Sequence, residues 1–303
     1  MVALWPQIFN FNRRLERERG NYRRTSEEFC FLVSVLVVIP LRRSLCFQDS
    51  EDYEGAEIMN RTKIEYLDYT WNPICIRCDR VSEGCLNCWH LTRAAMLANN
   101  PMIKKEERAV YKGGEFLLRQ EELDAPQHVK KPARIGVQFM GDLFHEDVDT
   151  HWIDDILEVI GACPQHTFLM LTKRPENIER KLYEVTEAHG CRELGGNDYL
   201  PNLWLGVTCE NQTRAEERIP ILLSILAEKH FVSVEPMLGP VHLDKWLLKE
   251  ADLIDWVIAG PETGPKARPC FCYWMMDLLS ECREAGIPFF DKREDYLIRE
   301  WPR

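Results

Sequence analysis

The chain reads as an α/β protein built on a full or partial parallel (β/α) barrel. Three observations predict this. Short apolar runs alternate with longer amphipathic stretches through most of the sequence. The connections between runs are long enough for a crossover helix, which parallel neighbours require. Each run is followed at once by polar or special residues, and in a parallel barrel the loops at those strand ends build the active site. An open doubly wound parallel sheet is the alternative, because periodicity alone does not show closure.

The elements follow in order. Lys63–Tyr69 is the predicted first strand, and a cysteine-rich loop leads from it to a helix over Trp89–Asn99. Lys104–Lys131 is charged and irregular, and is expected to form helix plus loop. A regular series of strands is predicted at Ile135–Met140, Thr167–Leu171, Leu203–Thr208, Phe231–Val234, Trp256–Ala259 and Ile287–Phe290. Their short, continuous apolar character suits strands covered on both faces. Amphipathic stretches at His151–Ile160, Glu176–His189, Arg214–Ala227 and Tyr273–Ala285 supply the intervening helices. The strand ends read MGDLFHED, TKRPEN, VTCENQ, VEPMLGP, AGPETGP and DKRED. Such loops in succession converge on one mouth if the sheet curls.

Residues 59–303 are assigned to this barrel, and residues 1–58 to a divergent N-terminal extension. The extension opens Arg-rich, carries an apolar run at Phe29–Leu41 and ends in the acidic stretch DSEDYEGAE. The run is too short to span a bilayer comfortably. A long charged lead-in and the lack of a clear small-residue cleavage site argue against a signal peptide. An upstream start-site artefact and a genuine appendage, disordered or partly buried, both fit. No stable membrane insertion and a cytoplasmic location are expected. The net charge of −11 argues against a sequence-blind nucleic-acid binder, since phosphate contacts need Lys and Arg in excess, but allows a local basic groove.

Of 12 cysteines, four crowd together at Cys75, Cys78, Cys85 and Cys88. A chain of this size does not need disulfide stapling, so a metal site in a reducing compartment suits the clustering better. The spacing C-x2-C-x6-C-x2-C, read alone, forms two knuckles of a closed tetrahedral zinc site, with Gly84 as the turn and His90 as another possible ligand. The six-residue gap is short for a zinc ribbon. Cys78, Cys85 and Cys88 without Cys75 leave a coordination position open, which suits a reactive cluster.

These cysteines sit among further motifs. The opening Lys63-Ile64-Glu65-Tyr66-Leu67-Asp68-Tyr69-Thr70-Trp71-Asn72-Pro73 precedes them. After them come Asp142-Leu143-Phe144-His145, Leu171-Thr172-Lys173-Arg174-Pro175, Trp204-Leu205-Gly206-Val207, Glu210-Asn211-Gln212, Ser233-Val234-Glu235-Pro236 and Ala267-Arg268-Pro269. In this order they resemble the phage gene-product thirty-seven/sixty-eight group, over roughly four-fifths of the chain. The resemblance implies a radical-SAM-like partial barrel whose three cysteines hold a 4Fe-4S cluster that binds S-adenosylmethionine. The rival reading is a zinc-stabilised, non-catalytic binding protein of phage origin.

The resemblance and the strand-end positions together give candidate roles. Asp142 would take the methionine amino group, Glu210 and Asn211 the ribose hydroxyls, and Glu235 would orient cofactor or substrate. Gly260 and Glu262 stand where the group has Gly-Gly-Glu-Ser-Gly. Lys173, Arg174 and Arg268 would bind an anionic substrate, phosphate being the natural group, with a nucleotide or nucleic acid as a candidate source. Plainer roles compete: a helix cap for Asp142, a solvated helix entry for Lys173-Arg174-Pro175, a turn at Glu235 and a tight loop over Gly260–Gly264. His145, His151 and His166 are read as structural, and the scattered cysteines as small core residues. Three departures stand out: the extra thiol of Cys75, Pro261 within the Gly260–Gly264 loop, and a divergent tail after Lys292.

Overall fold

The computed structural model describes residues 59–188, 200–247, 253–293 and 298–302, so the extension over residues 1–58 lies outside the described residues. In chain order the strands are β1 (Asn60–Arg61), β2 (Tyr69–Trp71), β3 (Ile74–Cys75), β4 (Leu117–Leu118), β5 (Arg134–Val137), β6 (Thr167–Thr172), β7 (Leu203–Thr208), β8 (Lys229–Val234), β9 (Trp256–Ala259) and β10 (Phe289–Asp291). The helices are α1 (Trp89–Ala98), α2 (Lys105–Tyr111), α3 (Thr150–Ala162), α4 (Glu176–Ala188), α5 (Gln212–Ser224) and α6 (Cys272–Ala285). Among the described residues, no helix is long and apolar enough to cross a membrane.

The main sheet runs β1-β2-β5-β6-β7-β8-β9-β10, with β1 antiparallel to β2 and every later pair parallel. The order follows the chain without reversal. A doubly wound sheet needs a switch point where the order turns back, so that alternative is excluded. β3 and β4 form a separate antiparallel pair beside it.

Alternation along the parallel strands sorts side chains to two faces. Phe168 and Met170 of β6, Leu205 and Val207 of β7, and Val232 and Val234 of β8 face outward and join helix residues such as Ile156, Ile160, Ile219 and Leu278 in the main core. Leu169, Phe231, Trp256, Ile258 and Phe290 point the other way and form an inner cluster with Tyr66 and Leu67. Tyr66 precedes β2, yet its ring meets Trp256 edge-on at 5.7 Å and Phe290 at 5.6 Å. The start of the sheet thus reaches its last two strands, and the sheet is curled into a partial barrel. The C-terminal segment helps fill the gap at the strands' N-terminal end. Trp301 packs on Phe290 at 5.2 Å and under the Arg134 guanidinium at 4.9 Å, while Arg299 pairs with Glu65 at 2.7 Å.

The predicted first strand needs correction. Residues 63–68 turn instead, with Leu67 N–H donating to the Ile64 carbonyl at 2.9 Å, and pairing starts at Tyr69. Tyr66 and Leu67 are adjacent and both buried in the inner cluster, which a regular strand would forbid by sending them to opposite faces. The remaining strand predictions agree to within a few residues.

Candidate active site at the barrel mouth

The segment between β3 and α1 carries Cys78, Cys85 and Cys88 and lies across the C-terminal ends of the parallel strands. Its contacts fix that placement. Ser82 Oγ donates to Glu210 Oε1, just past β7. The Glu83 carboxylate pairs with Arg214 of α5 at 3.1 Å, and its carbonyl accepts from Arg268 Nη2 at 3.0 Å. Asn87 Nδ2 donates to Glu262 Oε2 at 3.1 Å and to the Lys266 carbonyl at 2.9 Å. Asp79 lies 3.4 Å from the buried His145 ring. The loop is therefore tied to the segments following β5, β7 and β9. Gly84 makes the closeness possible: a Cβ there would stand 2.4 Å from Glu210 Oε1.

Several candidate side chains are committed to this architecture. Glu210 is fully buried, and besides Ser82 it takes Arg218 Nη1 at 2.9 Å and lies 3.8 Å from Lys173 Nζ. Asn211 caps α5, its side-chain oxygen accepting from Arg214 N–H at 3.0 Å. Glu262 binds Arg268 through both oxygens, at 2.5 and 2.9 Å. The Arg268 side chain, together with its backbone N–H and Asn87, holds the Glu262 carboxyl down at about 2. Asp142 accepts from Thr172 Oγ1 at 2.7 Å, Lys173 N–H at 3.0 Å and Phe144 N–H at 3.1 Å, and pairs with Arg174 at 3.4 Å. It does not cap α3; Asp149 does, accepting from His151 N–H at 2.9 Å. Arg174 is 1% exposed, so the solvated helix entry does not describe it.

A second group faces the barrel interior. Glu235 follows β8, ahead of a cis bond to Pro236, and pairs with Lys292 Nζ at 2.6 Å while accepting from Ser233 Oγ at 3.2 Å. Gly260 lets them meet, since a Cβ there would approach Lys292 Cβ to 3.0 Å and Glu235 Oε1 to 3.3 Å. Lys292 also lies 5.6 Å from the Tyr66 ring centre. Burial, reinforced by Glu235, holds the Tyr66 hydroxyl well above the ordinary tyrosine range.

The four clustered cysteines separate into two groups. Cys75 lies in β3, fully buried with Ala94, Leu97, Val110 and Tyr111 beneath α1 and α2. Its thiol is 3.8 Å from the Glu107 carbonyl, and burial raises its pKa. Cys85 is buried and Cys78 and Cys88 are half-buried in the loop over the mouth, Cys88 standing at the N-terminus of α1. Cys78 Sγ accepts from Arg174 Nη1 at 3.8 Å, and Cys85 is near enough to act on its charge. Burial pushes the Cys78 thiol up to about 11, against a lowering by Arg174, so a metal would have to displace its proton.

Among the described residues, no three His, Cys, Asp or Glu side chains are gathered closely enough to hold a metal ion. The fit to a three-thiolate centre rests on donor type and position: three thiols in one braced loop, a guanidinium on one sulfur, and Cys75 apart in an apolar cluster. The sulfurs must draw together to hold a metal. His90, in the first turn of α1, is buried with both ring nitrogens lacking a hydrogen bond of good geometry; burial lowers its pKa, weakly opposed by the nearby Ile76 backbone.

Sequence reasoning missed most of the loop's anchors: Asp79, Ser82, Asn87, Arg214 and Arg218, and also Lys292. A signal existed for two of them. Arg214 and Arg218 stand four residues apart at the start of α5, so they share one helix face just after the strand-end Glu210.

Residues 61–298 match the sequence family described as protein of unknown function, DUF5131. The chain belongs to that family. Neither the curated proteins nor the solved structures yield a match.

Proposed function

We propose that this DUF5131 protein is an iron-sulfur enzyme of radical-SAM-like type, with Cys78, Cys85 and Cys88 holding a 4Fe-4S cluster over the barrel mouth. Kinship to the phage gene-product thirty-seven/sixty-eight group is part of the same proposal. The observation that carries it is the separation of Cys75 from the other three thiols. A closed four-cysteine zinc site would need Cys75 beside them, whereas it packs under α1 and α2. When bound, such a cluster supplies a low-potential electron for reductive cleavage of S-adenosylmethionine.

The chain's own residues divide the remaining work. Glu210, Glu262 and Arg268 brace the cysteine loop, in place of the ribose role read for Glu210, the cofactor role read for Glu262 and the substrate role read for Arg268. Asn211 serves α5. Glu235 and Lys292 are oriented into the mouth, each with solvent access, and suit the charged ends of a small-molecule ligand. Lys173, 24% exposed and loosely paired, is the remaining cation for an anionic substrate such as a nucleotide. The aromatic floor beneath them excludes water from below.

A second reading has one observation in its favour. The buried ring of His90, without a hydrogen bond of good geometry, follows Cys88 by two residues and would complete a three-cysteine, one-histidine zinc site in a non-catalytic binding protein. Anaerobic purification with iron, sulfide and zinc analysis, joined to an assay for S-adenosylmethionine cleavage, separates the two. The iron-sulfur reading expects iron and sulfide in wild type and in Cys75→Ala, and their loss in Cys78→Ala, Cys85→Ala and Cys88→Ala. A colourless protein with one zinc per chain, lost in His90→Ala, would reverse the assignment.

A further inference from the structure

We infer that Arg174 is a positioning residue for the metal centre, its buried guanidinium holding the Cys78 sulfur, and that it does not bind substrate. The inference rests on the three-thiolate reading and names what that site requires beyond its ligands.

The guanidinium is withdrawn from solvent, with its side chain 2% exposed. An anionic substrate could reach it only by displacing what covers it. Its contacts are instead internal: Nη1 lies 3.4 Å from Asp142 Oδ2 and 3.8 Å from Cys78 Sγ, and Nε lies 3.2 Å from Glu146 Oε2. Asp142 is itself fixed by Thr172 and by the Lys173 and Phe144 N–H groups. The backbone N–H of Arg174 donates to Thr172 Oγ1 at 2.9 Å. The guanidinium is therefore aimed from both ends, by the carboxylate behind it and by the turn that carries it.

A buried cation is costly unless its charge is used. Asp142 and Glu146 supply negative charge on one side, and the third neighbour is a sulfur that metal binding turns into a thiolate. A thiolate beside a fixed donor gains a charge-assisted hydrogen bond. Outer partners that orient a ligand typically govern metal affinity by about 10- to 100-fold. Donors to cluster sulfurs also raise the reduction potential, because they favour the more negative state.

The test uses the full chain and two probes. Cobalt(II) alone reports the thiolate site through its sulfur-to-metal charge-transfer absorption, independently of any iron-sulfur chemistry. The anaerobically reconstituted cluster reports its midpoint potential. Arg174→Gln is expected to weaken cobalt binding roughly 10- to 100-fold and to lower the midpoint potential. Arg174→Lys, which keeps the charge but not the fork, should recover part of both. Because Arg174→Gln removes the cation that faces Asp142, the double variant Asp142→Asn/Arg174→Gln serves as the folded comparison and should show the same cobalt defect. A purely structural role would lower the unfolding midpoint of these variants while leaving cobalt affinity per folded chain unchanged, and that result overturns the inference. Wild-type protein that binds cobalt without thiolate absorption overturns it as well. Wild-type protein that gives the thiolate band and the Arg174 dependence, yet takes up no iron and sulfide, supports the inference while removing the iron-sulfur reading.

Discussion

At the N-terminal end of the strands the barrel interior holds Tyr66, Phe231, Trp256 and Phe290; at the C-terminal end, Glu210, Glu235, Lys173 and Lys292 occupy or border the mouth. The first set is held by aromatic burial and edge-to-face contacts, which stabilise a fold wherever they occur. The second holds charge, including a carboxylate at 0% exposure, that apolar residues of similar size could replace with little or no loss of stability. The floor therefore explains why the chain folds, and the mouth calls for a functional reason. That reason is visible in the direction of the contacts: Glu210 and Glu262 both reach across to the cysteine loop.

The sharpest way to break the contrast is to attack each end separately. Trp256→Ala removes the ring that contacts Tyr66, Trp204, Phe231 and Phe290, and should cost about 3–5 kcal/mol in urea unfolding. A loss below about 1 kcal/mol would mean that the floor is not a packed unit.

At the mouth, Glu210→Ala strands the buried Arg218 guanidinium and releases Ser82. It should cost about 3 kcal/mol and speed hydrogen exchange across Ser82–Cys88. Adding Arg218→Met removes the stranded charge, so most of the stability should return while the loop stays loose. If exchange in the loop is unchanged by Glu210→Ala, the proposed brace is wrong.

A smaller effect sharpens the same point. Gly84→Ala should cost about 1–3 kcal/mol, because the new methyl group meets the Glu210 carboxylate. In the Glu210→Ala background the obstacle is gone and the penalty should shrink toward zero. Additive costs would show that the conflict lies elsewhere.

The same contrast sets how far the sequence could be read. The parallel strands were legible because their apolar runs are continuous and their spacing admits only crossover helices. The turn at Lys63–Asp68 was not, since its apolar residues mimic a strand until Tyr66 and Leu67 are seen to share one interior. At the mouth, position was legible and partnership was not. Asp142, Lys173, Arg174, Glu210, Glu235, Glu262 and Arg268 all fall at strand ends, but the sequence could not say that Arg174 turns inward to a sulfur or that Arg268 is taken by Glu262. Those pairings join residues 96 and six positions apart and depend on how the cysteine loop lies. Nor could spacing distinguish Cys75 from its three neighbours, because its environment comes from α1 and α2.

The mildest test is one of pH. The Glu262 carboxyl is held at about 2 against an ordinary value of 4.5, with the Arg268 hydrogen bonds the largest cause and Asn87 contributing. A carboxyl depressed by folding adds stability that is fully present above its unfolded value and is lost as pH falls toward its folded one. The contribution should hold at pH 6 and decline progressively between about 4.5 and 2. Because Arg268 is partly exposed, solvent screening limits the expected size to about 1 kcal/mol. Glu262→Gln should therefore be less stable than wild type at pH 6, and the gap should narrow by pH 3. Equal gaps at both values, measured by chemical denaturation, would show that Glu262 does not contribute to the loop through its charge. The Asn87 contact predicts a local counterpart: protection factors at Asn87 and Cys88, referred to the intrinsic exchange rate at each pH, should fall in the same acid range, while the aromatic floor stays protected.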